Sequence, residues 1–185
     1  MIELENKRFC IFGLQGSGKT TLAKYILRQF GPSGWVIDVL DEYAGFNRYV
    51  MQDRDYSGID ELNAAIYFIL NKYKPKLLII DEANRYCKPK RPLPEAVGHL
   101  NDFHRHYDLA IGFISRRPAQ LHTDLVELAH YLFIFRLVGK NDRFYLESLK
   151  EGLSDAVLQL PQYSFVFYNR ETGEIRVMKV PFTLL

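Results

Sequence analysis

At 185 residues, with 48% hydrophobic and 25% charged residues and a net charge of +2, the chain is sized for one domain with a full core. No apolar run approaches the roughly 20 residues of a membrane helix, the first residues lack the basic-then-apolar layout of a secretory leader, and so small a net charge does not by itself call for nucleic acid. Cys10 and Cys87 stand far apart in no metal-ligand spacing, and read as reduced thiols of a cytoplasmic protein.

In chain order, the first predicted strand is Phe9-Cys10-Ile11-Phe12. It runs into Gly13-Leu14-Gln15-Gly16-Ser17-Gly18-Lys19-Thr20, a match to G-x-x-x-x-G-K-[ST]. A helical pattern of Leu22, Ala23, Ile26, Leu27 and Phe30 follows. Strand, glycine-rich loop and helix form the setting in which this motif binds phosphate. The glycines let successive N–H groups turn toward phosphate oxygens, and the helix start adds its positive end. Lys19 is expected to reach the β- and γ-phosphates of ATP and Thr20 to ligate Mg²⁺. The nucleotide is expected to lie along the whole loop and Thr21 beyond it.

Gly31-Pro32-Ser33-Gly34 stops the helix, and Trp35-Val36-Ile37-Asp38-Val39 is a second strand. Residues 41–58, mixed in Tyr, Asp and Arg, are expected to be mostly loop. Asp60 is placed to cap a helix marked by Leu62, Ile66, Ile69, Leu70 and Tyr73, which Pro75 ends. Lys76-Leu77-Leu78-Ile79-Ile80-Asp81-Glu82 is an unbroken apolar strand closing on two carboxylates, as a parallel strand buried on both faces would. Alone, that end would suit an ordinary acidic turn. Behind a phosphate loop, Asp81 is expected to hold Mg²⁺ through water, and Glu82, facing the other way, to polarise the attacking water.

The loop over 84–93 is basic and broken by prolines. Its Arg85, Lys88, Lys90 and Arg91 read either as a solvated loop or as contacts to DNA phosphates. Pro94 opens a helix whose Val97, Leu100, Phe103 and Tyr107 are expected on the packing side, with Arg105 pointing away. His99, His104 and His106 read as helix-surface residues. A fourth strand over 109–114 ends in Ser115-Arg116-Arg117-Pro118. Thr123 is a predicted N-cap, 131–135 a fifth strand, and Asn141 or Asp142 the start of a helix ending at Gly152. Residues 163–168 and 174–180 read as a β-hairpin.

Alternating apolar strands and amphipathic helices predict a three-layer α/β fold with a mostly parallel sheet. It is read as one unit over 1–185, with a core at about 7–137 and a C-terminal helix and hairpin over 141–185. A strand and helix between the phosphate loop and Asp81, and a Glu directly after that Asp, point to the additional-strand catalytic-glutamate class of P-loop ATPases.

The phosphate loop, the strand ending in Asp81-Glu82, Arg105-His106-Tyr107-Asp108-Leu109 and Ser115-Arg116-Arg117-Pro118 occur in the order found in the FtsK–HerA superfamily. Over roughly residues 8–137 the chain resembles those DNA-pumping ATPases of chromosome segregation, conjugation and viral genome packaging. In that family the turn after the fourth strand usually reads Thr-Gln-Arg-Pro, its Gln sensing the γ-phosphate. Here Ser115 keeps a hydroxyl and Arg116 stands at the Gln position. An arginine stabilises developing negative charge but cannot accept a hydrogen bond from water as an amide carbonyl can. By the same resemblance the family's trans-acting arginine falls on Arg105, whose other reading is a surface arginine in a local ion pair.

Such a finger implies a ring, of six by resemblance. Residues 81–86 and 104–109 are also similar to zonula occludens toxin-like proteins, phage assembly ATPases that usually continue into a membrane segment. The resemblance therefore implies Mg²⁺-dependent ATP hydrolysis that drives double-stranded DNA, into a viral capsid, with a capsid or portal-like vertex protein as partner in the host cytoplasm. The alternatives are a filamentous phage assembly or export ATPase, and a nucleotide-gated binding module with negligible hydrolysis.

Overall fold

The computed structural model describes residues 3–181. The apolar runs of the sequence become strands of one eight-stranded sheet. In chain order the elements are β1 (Arg8–Phe12), α1 (Lys19–Phe30), β2 (Gly34–Asp38), β3 (Asn47–Val50), α2 (Ile59–Tyr73), β4 (Leu77–Ile80) and α3 (Glu95–Phe103). Then come β5 (Ala110–Ser115), α4 (Thr123–Glu127), β6 (Tyr131–Phe135), α5 (Lys140–Leu149), α6 (Leu153–Leu158), β7 (Ser164–Asn169) and β8 (Ile175–Lys179). The order across the sheet is β3-β2-β4-β5-β1-β6-β7-β8. Strands β1 to β6 pair in parallel, and β7 and β8 close one edge as an antiparallel hairpin.

The position of β5 decides the class. It lies between β1, which feeds the phosphate loop, and β4, which ends at Asp81. The strand that intervenes in sequence, β2, sits beyond β4 instead. Loop and carboxylates thus leave the same edge of the sheet with one strand's width between them, at the carboxyl ends where open α/β sheets bind ligands.

Strand side chains alternate between two apolar layers although both faces are buried. Cys10, Phe12, Ile80, Ile111 and Phe113 pack with Ile66 and Ile69 of α2, Val97 and Leu100 of α3 and Leu125 of α4. Phe9, Ile11, Ile79, Phe133 and Phe165 pack on the other face against Leu22, Ala23, Ile26 and Leu27 of α1. Gly112 serves this second layer: a Cβ there would come within 2.4 Å of the Phe9 ring. Its bare backbone lets Phe9 lie across β5 and meet Phe133 edge to face, with centroids 5.8 Å apart.

Several expectations need correction. Residues 41–58 are mostly irregular as expected, but 47–50 within them form the edge strand β3, parallel to β2. Its exposed-to-intermediate pattern hides it from a reading based on apolar runs. Asp60 lies in the first turn of α2, whose N-cap is Gly58. The helix after Pro94 tightens at His104–Tyr107 into a 3₁₀ turn, so the 3.6-residue period lapses. Phe103 and Tyr107 consequently face solvent beside His99, whose Nε2 lies 2.8 Å from the Tyr107 hydroxyl. His104, read as a surface residue, is buried. The short helix α4 is capped by His122, whose Nδ1 accepts the Asp124 N–H at 3.2 Å, one residue before the expected Thr123. Beyond Gly152 a further helix, α6, packs on α5.

His130 ties the lower edge of the sheet. Its Nδ1 accepts the backbone N–H of Arg8 at 3.0 Å, and its own N–H donates to the Arg8 carbonyl at 2.8 Å. Burial, reinforced by the Arg8 and Lys7 cations, lowers its pKa from 6.5 to about 4. Between those values the unfolded chain binds a proton that the folded chain refuses, so stability falls as pH drops from about 6.5 to about 4. In thermal melts His130→Gln is expected to flatten the dependence in that window, at the cost of a lower midpoint at neutral pH.

Candidate active site

The loop after β1 reaches α1 through Gly18, whose φ of 108° is closed to ordinary L-residues and which serves as the N-cap of the helix. Lys19 and Thr20 therefore stand on the first turn of α1, over the carboxyl ends of the central strands. Lys19 is largely buried, and its ammonium donates to the Leu14 carbonyl within its own loop at 3.1 Å. Burial lowers its pKa, and the nearby Glu82 and Asp81 carboxylates pull the other way. Thr21 lies beside Thr20 in the same turn.

A cavity of about 90 Å³ is lined by Gln15, Gly16, Lys19, Thr20, Leu40, Glu42, Asp81, Glu82 and Arg116. Asp81 is 3% exposed, and its Oδ1 accepts the Glu82 N–H at 2.8 Å. Burial pushes its pKa up to about 7, with Glu82 and Glu42 adding to the rise and the Glu82 N–H opposing it. The Tyr43 phenol, fully buried, is turned toward Asp81 at longer range than a closed hydrogen bond. A carboxyl of this kind favours a nearby cation, which would return it to the charged form.

Glu82 is set by an unusual backbone. Its φ of 45° and ψ of 36° are left-handed for a residue with a side chain, a conformation that costs on the order of 1–3 kcal/mol. That turn places its carboxylate between two guanidinium groups: Arg85 Nε is 3.5 Å from Oε2 and Arg116 Nε is 3.4 Å from Oε1. Arg85 is further held by the Arg54 carbonyl at 3.0 Å.

Next to this cavity opens a cleft of about 1030 Å³ whose lining includes Glu82, Arg85, Lys88, Arg91, Arg116 and Arg117. Lys88 and Arg91 both lie over the Tyr56 ring, 5.2 and 4.8 Å from its centroid. Lys90, with φ of 59°, lies outside the lining of this cleft. The basic loop over 84–93 is thus wrapped against the Glu82–Arg116 side of the cavity.

Two of the expected residues do not meet the others. Ser115 is fully buried and its hydroxyl donates to the Arg117 carbonyl at 3.0 Å, bracing the turn. Arg105 precedes β5 at the opposite edge of the sheet, a strand's length from the loop of its own chain, roughly 15–20 Å. There its Nη2 is 3.4 Å from His130 Nε2, and it makes no ion pair among the described residues. Sequence reading also missed Glu42, whose Oε2 accepts the Thr20 hydroxyl at 3.1 Å. Only the spacing Asp38-x-x-x-Glu42 after β2 could have marked it, and no phosphate-loop pattern contains that spacing.

The donor set suits magnesium: a threonine hydroxyl and carboxylate oxygens face one cavity, all hard oxygen ligands. No three acidic, histidine or cysteine side chains form a metal cage by themselves among the described residues.

No family model matches the sequence. Over 88 residues the chain is 26% identical to the probable DNA double-strand break repair helicase HerA of Methanocaldococcus jannaschii, a match spanning 46% of this chain and 18% of that protein. The structure of this chain is similar to that of the genome packaging NTPase B204 of Sulfolobus turreted icosahedral virus 2 in complex with AMPPCP. The TM-score is 0.83 at 21% identity, with 98% of this chain and 100% of that one covered. The N-terminal domain of zonular occludens toxin from Neisseria meningitidis is also similar, at a TM-score of 0.61 and 11% identity over 96% of each chain. No helix among the described residues is long and apolar enough to cross a membrane. By its strand order, its loop and these likenesses the chain has the P-loop NTPase fold of the additional-strand class, and it resembles the FtsK–HerA superfamily in sequence and in structure.

Proposed function

We propose that this chain is a Mg²⁺-dependent ATPase that works as a ring, of six by resemblance, to drive double-stranded DNA during viral genome packaging. The observation that carries this reading is the meeting of Lys19, Thr20, Asp81, Glu82 and Arg116 in one cavity that adjoins a cation-lined cleft. The packaging function itself is taken from the likeness to B204, and the DNA cargo from B204 and HerA together.

In this mechanism Lys19 and the loop amides hold the β- and γ-phosphates, while Thr20 and Asp81 hold the metal. Magnesium, when bound, would supply positive charge that neutralises charge developing on the β- and γ-phosphates. Glu82 accepts the proton of the attacking water through a lone pair that its two arginines leave free. Arg116, which lines the cavity and pairs with Glu82, would divide its charge between that carboxylate and the γ-phosphate. Arg85, Lys88 and Arg91 offer DNA phosphates a sequence-blind surface. The host cytoplasm, at an assembling virion, is where such a motor acts, with a capsid or portal-like protein as its other partner.

ATPase rate measured across protein concentration, with and without duplex DNA, tests this. Specific activity is expected to rise with concentration and again with DNA. A rate flat in both would overturn the reading, and a rise with concentration alone would favour a phage assembly or export ATPase. Replacing Lys88 and Arg91 together by alanine is expected to lower the slope of log affinity against log salt by about 2, one for each lost phosphate contact. A specific observation favours one other reading, a nucleotide-gated module with negligible turnover: both oxygens of Glu82 are engaged by arginines.

A further inference from the structure

A threonine hydroxyl that gives a lone pair to a metal must send its proton elsewhere. In this chain the acceptor is Glu42: Thr20 Oγ1 donates to Glu42 Oε2 at 3.1 Å. Asp81, the acidic residue of the sequence pattern, has its Oδ1 occupied by the Glu82 N–H. Glu42 also lines the same cavity as Lys19, Thr20 and Asp81.

The contact is built from below. The Asp38 carboxylate at the end of β2 is fully buried and accepts the backbone N–H groups of Glu42 and Tyr43, each at 2.9 Å. Arg48 of β3 closes the same carboxylate at 2.8 Å. Tyr43, the next residue, is fully buried in the α1-side core. The backbone of Glu42 is therefore fixed on both sides, while its side chain is exposed at the cavity.

We propose that Glu42 is a positioning residue for the metal: it accepts the hydrogen bond of the Thr20 hydroxyl, orients the hydroxyl lone pair inward and adds a second carboxylate to the outer shell of the ion. The inference rests on the nucleotide reading above. Magnesium bound through substrate phosphates and one or two carboxylates matches this donor set, and outer-shell partners fix the orientation and basicity of the inner ligands. Without the metal, the same carboxylate faces the β- and γ-phosphates and repels them.

The test is equilibrium binding of a non-hydrolysable ATP analogue, titrated with Mg²⁺, to wild-type protein, Glu42→Gln and Glu42→Ala. The Mg²⁺ concentration for half-maximal tightening is expected to rise about tenfold in both variants, with metal-free binding equal to wild type or tighter. Glutamine keeps an acceptor for Thr20 without the charge, so its shift reports the carboxylate itself. An unchanged Mg²⁺ requirement in both variants would overturn the proposal. So would an equal loss with and without metal, which marks a merely structural contact. Wild-type protein that bound no analogue at any Mg²⁺ concentration would overturn the nucleotide reading, and this proposal with it.

Discussion

Replacing Glu82 by glutamine is expected to lower ATP turnover by about 10²–10⁴-fold, the usual contribution of a positioned general base, without weakening nucleotide binding. Glutamine matches the shape of glutamate, so the left-handed turn at residue 82 has the same occupant in size, and its carbonyl oxygen still accepts from one of Arg85 and Arg116 while its amide NH₂ faces the other. What it loses is the capacity to take a proton from water. It also removes a negative charge from beside Lys19, so the triphosphate meets a more positive cavity and binding holds or tightens. Lys19→Ala is the contrasting variant, expected to lose binding and turnover together. Turnover at the wild-type level in Glu82→Gln would remove Glu82 from the base role. Turnover already negligible in wild type and unchanged in the variant would select the binding-module reading instead.

The two oxygens of Glu82 show where sequence reading stops. The apolar run ending in Asp81-Glu82 gave the strand and the edge of the sheet it leaves, because a strand buried on both faces has no other pattern. Strand alternation put Glu82 on the side opposite Asp81, yet both line one cavity, because β4 ends at Ile80 and Glu82 takes a φ of 45° that residue type alone does not dictate. In sequence Arg85 belongs to the basic loop over 84–93 and Arg116 to the turn after the fourth strand. They converge because β4 and β5 are neighbours, a fact of sheet order and not of spacing.

The same distinction explains β3 and Glu42. Asn47-Arg48-Tyr49-Val50 has little to bury and pairs on one side only, so the hydrophobic period that reveals the other strands is missing. Yet Arg48 closes the Asp38 carboxylate that fixes Glu42 under Thr20. A polar edge strand thus supports the Thr20 side of the cavity through a buried acid, and no linear motif records it. By contrast, Phe103 and Tyr107 fit a helical stripe on paper. Their exposure follows from a 3₁₀ turn at His104, where the backbone changes its period.

Arg105→Ala is expected to lower turnover further, by about 10³–10⁵-fold, the range an arginine supplied to phosphoryl transfer contributes. The reasoning starts from its surroundings. Arg105 makes no ion pair among the described residues, and its guanidinium faces the His130 ring at 3.4 Å. Because His130 Nδ1 accepts the Arg8 N–H, the ring proton of the neutral form sits on Nε2, and two donors face each other. That contact does not hold the guanidinium, and Arg8 nearby repels it. An anion brought by a second copy of the chain would find the guanidinium unpaired. Its own phosphate loop lies at the other edge of the sheet, so any catalytic use must be in trans. Mixing Arg105→Ala with Lys19→Ala subunits should then restore part of the activity that each lacks alone. In such a ring an intact loop can sit beside an intact arginine. Arg105→Lys should not substitute, since an ammonium cannot span two phosphate oxygens as a planar guanidinium does. Full turnover in Arg105→Ala, or mixed rings as inactive as their parents, would show that the arginine serves its own subunit or none.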